Sequence, residues 1–361
     1  MGTRRRTTAG VFGAVLGLAL LAAGCAGPAN AGKASGRGTP EAAELTLWTP
    51  MGSSDEFDAF LAQVGKLSDD SIHITVVTNA HHEEGPDFEE QLVNDVKAGR
   101  TDLAALGSRV FDIEWAPALG ALSAPLLINS FDAEQKVLED PVAQRMIREV
   151  DGDGLTGIGL LPGSLRRPFG ARTALLGPAD YEGRTIGIQE SKVADTTMRT
   201  LGARPEWMAA GGSVADLDGY EQQITSVNGS HYDKAGMIGT ANVVLWPRTI
   251  VLVAGSKTFQ RLSEEQRNVL REAARRAVPG AGTALREQEQ SALGSLCRRG
   301  QKFATASPAQ LAALRKAVQP VYDRLSRDRR TQEYLDAITA LVRGVPAEPA
   351  LSCAGVTPTA G

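Results

Sequence analysis

The chain has 361 residues, long enough for two domains of ordinary size, each with a core of its own. Its 42% hydrophobic and 22% charged residues are those of a soluble globular protein. A formal net charge of -4 offers no electrostatic basis for a nucleic-acid partner.

At the amino terminus "MGTRRRTTAG" is a cationic start, "VFGAVLGLALLAAG" is an apolar run of signal-peptide length, and small residues lead into Cys25. The run is shorter than the ~20 apolar residues a membrane span needs and ends without a basic stop, so residues 1–25 read as an export signal. "LLAAGC" resembles a bacterial lipobox. That likeness implies that Cys25 becomes the lipidated first residue of the mature protein, anchored to the outer face of the cell membrane. Residues 26–43, small, polar and rich in Gly and Pro, read as a flexible tether.

Folding is expected to begin with "ELTLWTP", which alternates as a strand. In the following "SSDEFDAFLAQVGKL", Ser53 and Glu56 are spaced as a capping box before a helix. "SIHITVV" is a second strand, "DFEEQLVNDVKAG" a helix stopped by Gly99, and "TDLAAL" a third strand. Strands separated by helices predict a parallel sheet with right-handed crossovers. A helix from about Asp132 to Val150 and the strand "TGIGLLPG" lead into a second α/β set. There "RTIGI" and "RPEWM" are strands, and "KVADTTMRTLG" and "DLDGYEQQITSV" are helices. "KAGMIGTANVVLWPRTIVLVAG" returns as strands on both sides of Pro247. The last third is helical, with a Ser263–Gln266 capping box and a second helix capped by Ser307 with Pro308 at its first position.

Apart from Cys25, only Cys297 and Cys353 remain, a pair that in an exported protein is either a disulfide or two free thiols. A bridge would close a long loop and contribute ~4 kcal/mol in the chain-entropy model.

The order of these segments resembles the extracytoplasmic solute-binding proteins of TRAP transporters, of the DctP type (solute-binding protein family 7). "LVNDVKAGRTDLAAL", "LGPADYEGRTIGI" followed by "LGARPEWM", "LDGYEQ" and "KTFQRLSEEQRNVLREAA" carry the likeness, which runs from about Leu45 to Val342. It implies an α/β fold of the two-lobed periplasmic-binding-protein kind (class II), with long helices spanning the lobes. Lobe I would comprise residues 44–163 with about 247–283, and lobe II 164–246 with about 284–345, followed by a tail at 346–361. It further implies a receptor that captures a small organic solute, an organic acid, by closing its cleft, and delivers it to a TRAP-type membrane permease. Such capture needs differential affinity for the closed form and no catalysis or cofactor.

The same resemblance places a carboxylate-pairing arginine at the end of the "GRTIGI" strand, where this chain has Gly187. Gln189 shares its face, whereas Arg184 lies on the opposite one. A second ligand-holding arginine falls at Arg167 by spacing. Ser108 and Arg109 follow a strand at its carboxyl end, and Arg109 is the candidate replacement partner for a ligand carboxylate. Glu221 and Gln222 stand where the family has an acid-amide pair, and Trp207 and Trp246 are candidates for cleft stacking or for packing. The stretch "AAGGSVAD" is shorter than its family counterpart, so one pocket wall is altered.

"HHEE" at 81–84 lacks the spacing of a zinc site and reads as a polar loop. No nucleophile elbow or phosphate loop is visible. Two rivals to the receptor remain, an ABC-type binding protein and an exported sensor or partner-binding module that kept the fold and lost transport.

Overall fold

A computed structural model describes residues 42–82 and 84–357. The export signal, Cys25 and all but the end of the tether lie outside the described residues. From the amino end, β1 (Ala43–Trp48), α1 (Asp58–Ser68), β2 (Ile72–Val77), α2 (Phe88–Ala98) and β3 (Leu103–Gly107) alternate, followed by α3 (Phe131–Glu139), α4 (Pro141–Ile147) and β4 (Leu155–Leu161). The chain continues through β5 (Leu165–Gly170), β6 (Thr185–Ile188), α5 (Lys192–Thr200), β7 (Arg204–Trp207), β8 (Gly219–Gln223), α6 (Ile224–Gly229) and β9 (Ile238–Thr240). It returns through β10 (Trp246–Pro247), β11 (Ile250–Gly255) and α7 (Ser256–Arg261) to α8 (Glu264–Arg298). Then come β12 (Phe303–Ala304), α9 (Pro308–Ala317), α10 (Gln319–Leu325) and α11 (Arg329–Val342).

The first sheet has the order β2-β1-β3-β11-β4. Its first three strands are parallel, as helical crossovers require, but β11 runs antiparallel to both β3 and β4. The all-parallel sheet expected from strand-helix alternation therefore fails at β11, which enters from the second lobe instead of over a crossover helix. Period-two alternation sorts its side chains: Ile250, Leu252 and Ala254 enter the core shared with α1 and α8, while Val251 and Val253 enter the opposite core with α2, α3 and α4. Burial on both faces explains why this strand reads as a continuous apolar run.

The second sheet has the order β12-β9-β5-β8-β6-β7, with β10 pairing β5. Ile186 and Ile188 of β6 pack with α5, α9 and α10 on one face, and Phe169 and Tyr220 pack with α6 and the end of α8 on the other. Helix α8 spans both lobes. Its 35 residues extend ~52 Å at 1.5 Å per residue, putting Leu270, Ala273 and Ala277 in the first lobe's core and Ala292 and Leu296 in the second's. Its start is fixed by the Ser263–Gln266 box: Ser263 Oγ accepts from Gln266 N–H at 3.1 Å, and Gln266 Oε1 accepts from Ser263 N–H at 2.9 Å. Cys297 at the end of α8 is bonded to Cys353, with the two Cα atoms 5.3 Å apart, which pins the tail to the second lobe.

Several local expectations are corrected. The Ser53–Glu56 box does not form, because a 3-10 turn at Asp55–Phe57 precedes α1 and Ser53 Oγ accepts from Asp55 N–H instead. The helix expected over 132–150 breaks at Asp140, whose carboxylate accepts from Val142 N–H at 2.8 Å and starts α4 with Pro141 at its first position. Residues 219–223, read as part of a helix, form the buried strand β8 between β5 and β6, where tertiary pairing overrides the local pattern. Helix α11 falls in the stretch expected in lobe II, yet Tyr334, Leu335 and Ile338 pack into the first lobe's core.

Candidate functional site

The carboxyl ends of β1, β2 and β3 in one sheet and of β6, β7 and β8 in the other face a cavity of about 530 Å³ between the lobes. Four segments build its charged side. Arg109 stands in the 3-10 turn directly after β3 and is nearly fully buried. Glu89, in the first turn of α2, accepts from Gly107 N–H at 2.9 Å through Oε1 and from Arg109 Nη2 through Oε2. Gly107 is needed here: a Cβ would stand 3.0 Å from the Arg109 guanidinium carbon and collide with its Nη1. Arg248, in the crossover after β10, donates to Glu56 Oε2 at 3.3 Å and lies 3.8 Å from Glu89 Oε1.

Arg109 keeps its Nε and Nη1 buried with no hydrogen-bond partner among the described residues. Burial pulls its pKa down to about 10, against the pull of Glu89, so the guanidinium stays cationic at neutral pH. Glu56 shows the converse: burial raises its pKa although Arg248 opposes the shift. Glu190, after β6, is pushed up to about 7 by burial first and then by Glu90, Glu89 and Asp87.

The second lobe contributes uncharged groups to the wall, among them Gln189, Gln222, Gln223 and Ser226, and the shortened stretch supplies Ala210 and Gly211. Behind this wall Arg166 is held by the Glu221 carboxylate through Nε and through Nη2, the latter at 2.9 Å. Its Nη1 donates to Gln189 Oε1 at 2.9 Å, which fixes the amide at the cavity.

Two more buried carboxyls join the halves. Asp112 accepts from Ser191 Oγ at 2.6 Å and from Lys192 N–H at 2.7 Å, so a first-lobe acid caps the second-lobe helix α5. Burial lifts it to about 6. Glu134 of α3 accepts through Oε1 from Gly163 N–H at 3.0 Å and from Thr249 Oγ1 at 2.7 Å. It thereby ties together the two segments, 162–164 and 248–249, through which the chain passes between the sheets, and burial pushes it to about 8.

Of the residues singled out from sequence, Arg109, Gln189 and Gln222 line the cavity, and Glu221 stands one layer behind it. The others lie elsewhere. Arg167 points to the opposite face of β5 and pairs with Glu289 of α8 at 3.0 Å; its neighbour Arg166 faces Glu221 and Gln189. Gly187 is closed off, since a Cβ there would collide with Met208 Sδ and stand 2.5 Å from Leu217 Cδ1. Ser108 is buried, and its N–H is spent on the Thr249 carbonyl at 2.7 Å. Trp246 is buried in the second lobe's core, and Trp207 is 40% exposed at the end of the edge strand β7. His81 of "HHEE" pairs with Glu84 at 2.7 Å and Asp95 at 2.6 Å, and no group of three metal-ligating side chains occurs among the described residues.

Sequence reasoning missed Arg166, Arg248, Glu56 and Glu89. Parity along β5 would have separated Arg166 from Arg167, had a buried neighbour fixed the register.

Two α/β lobes, joined by paired crossovers and one long helix around a polar cavity, define a two-lobed solute-binding protein. The chain belongs to the family described as bacterial extracellular solute-binding protein, family 7 (DctP), which matches residues 53–328. It is a solute receptor of the TRAP type. It is 22% identical over 249 residues to the uncharacterized protein YiiZ of Salmonella typhimurium, covering 67% of this chain and 75% of the relative. It is 29% identical over 85 residues to the C4-dicarboxylate-binding periplasmic protein DctP of Rhodobacter capsulatus, covering 24% of this chain and 25% of that one. Among solved structures, a TRAP periplasmic solute-binding protein from Bradyrhizobium sp. BTAi1 in complex with galacturonate aligns with a TM-score of 0.73 at 20% identity. That alignment covers 82% of this chain and 99% of that one. The sugar acid binding protein DctPAm of Advenella mimigardefordensis, in complex with galactonate, aligns with a TM-score of 0.72 at 19% identity, covering 84% and 99%. Among the described residues no helix is long and apolar enough to cross a membrane.

Proposed function

We propose that this receptor captures a small organic acid in the cavity between its lobes, with Arg109 as the partner of the ligand carboxylate, and presents the closed form to a TRAP permease. The observation that carries this reading is Arg109, which lines the cavity and whose Nε and Nη1 are buried with no acceptor among the described residues. A carboxylate would supply those acceptors in a site shielded from water. Gln189, Gln222 and Gln223 would bind the hydroxyls or carbonyls of the solute, and cleft closure would report occupancy. The sugar acids bound by the solved relatives fit this reading. Cys25 would hold the receptor at the outer face of the membrane by its lipid.

The test is a thermal-shift screen of organic acids, neutral sugars and neutral metabolites on the purified protein, because a ligand that binds only the folded state raises its melting temperature. At least one acid is expected to raise it, and Arg109→Ala to abolish the rise. If no compound does so, the chain is a sensor or partner-binding module on a receptor fold. Incorporation of labelled fatty acid that is lost in Cys25→Ser checks the anchor.

A further inference from the structure

The charges on the cavity wall point to a narrower class of ligand. Among the described wall residues, three carboxylates, Asp55, Glu56 and Glu89, stand against two guanidiniums, Arg109 and Arg248. Arg166 adds no surplus, because both oxygens of Glu221 are already on it. A solute that brings only negative charge therefore enters a site with no excess of positive charge to receive it, and its lost hydration is poorly replaced.

The charged wall groups also lie almost entirely on the first half of the cleft, while the second lobe offers amides and hydroxyls. One solute can thus satisfy both signs at once. Its acid faces Arg109, whose Nε and Nη1 have no acceptor among the described residues, and a cationic group faces Glu56, with the exposed Asp55 at the rim.

We infer that the solute is zwitterionic, a small acid that also carries an ammonium group, received between Arg109 and the Glu56–Asp55 pair. This rests on the receptor reading above. The inference belongs to this chain's own wall residues and not to the galacturonate or galactonate of the solved relatives.

Matched compounds in which an ammonium group replaces one hydroxyl or one hydrogen separate this idea from the broader one. Dissociation constants are measured by calorimetry for gluconate against 2-amino-2-deoxygluconate, and for pentanoate against 5-aminopentanoate. The aminated member of at least one pair is expected to bind at least tenfold tighter. Glu56→Gln, which removes the carboxylate and leaves Arg248 with Glu89 alone, is expected to reverse that preference; Asp55→Asn, at an exposed position that leaves the fold alone, is expected to reduce it two- to fivefold. Equal or tighter binding of the plain acids overturns the inference and leaves the acid receptor standing. So does an ammonium preference that neither variant alters. If neither pair binds while other plain acids shift the melting temperature, the inference is again overturned; if no compound of any class binds, both readings fall.

Discussion

Restoring the arginine that the family resemblance places at position 187 tests how the second lobe's wall is built. Gly187 lies in the middle of β6, paired with Glu206 on one side and Tyr220 on the other. Any side chain here must displace Met208 and Leu217: a Cβ would stand 3.2 Å from Met208 Cγ and 2.5 Å from Leu217 Cδ1. Both obstructing groups are the ends of flexible side chains, so Gly187→Ala falls at the low end of the ~1–3 kcal/mol typical of overpacking. Gly187→Arg falls at the high end, ~3 kcal/mol, because its guanidinium must also find a way past Met208 to a partner or to water. Urea unfolding followed by tryptophan fluorescence measures both losses. Trimming the obstruction with Met208→Ala should recover part of the loss in the Gly187→Arg background, a coupling of ~1 kcal/mol or more. The reasoning is refuted if Gly187→Arg is as stable as the parent and shows no coupling to Met208, or if it tightens acid binding tenfold without loss of stability.

Replacing Arg166 by Met leaves the Glu221 carboxylate buried without its cation and is expected to cost ~3–5 kcal/mol, most of it recovered in Arg166→Met/Glu221→Leu; equal losses for single and double variants would contradict the pairing. Opening the Cys297–Cys353 bridge, which closes a separation of 56 residues, should cost ~4 kcal/mol in the Cys297→Ser/Cys353→Ser variant, and a loss below ~1 kcal/mol would show that the tail adds nothing to stability. Glu134, with its folded-state pKa raised by burial to about 8, contributes stability that is fully present below the ordinary carboxylate range near 4.5 and is lost as pH rises through about 8. The parent should therefore lose up to ~1.4 kcal/mol per pH unit across that window. Glu134→Gln, which retains an acceptor for Gly163 and Thr249, should flatten the profile; an unchanged slope between pH 5 and 8 would place the titration elsewhere, Glu190 and Asp112 being raised in the same direction.

Much of the architecture was legible because its signals are local. The Ser263 box, the Ser307 cap, the stop at Gly99 and the alternating strands each depend on residues within a turn or two, and the structure has them. The site was far less legible because its charges pair across long stretches of chain. Glu56 matched a capping box three residues from Ser53, yet its partner is 192 residues away. Glu89 reads as an ordinary acid in the first turn of a helix, and only the return of β3 beside α2 turns it toward Arg109. Arg166 and Arg167 are adjacent, and strand alternation sends one to Glu221 and Gln189 behind the cleft wall and the other to α8, a choice fixed by the pairing of β5 with β8.

Gly187 also takes on a different meaning once these pairs are placed. A receptor that had lost its carboxylate partner would leave a hole where the arginine stood, but here Met208 and Leu217 fill the space. Meanwhile Arg109 sits at the mouth of β3 with Gly107 shaped to receive its guanidinium and Glu89 to orient it. A buried cation held this way costs desolvation that Glu89 only partly offsets, as its lowered pKa records. On the reading proposed above, charge recognition has moved from the second lobe to the first. The second lobe's amides then serve hydrogen bonding and closure, which makes closure depend on the solute's polar groups and not on its charge.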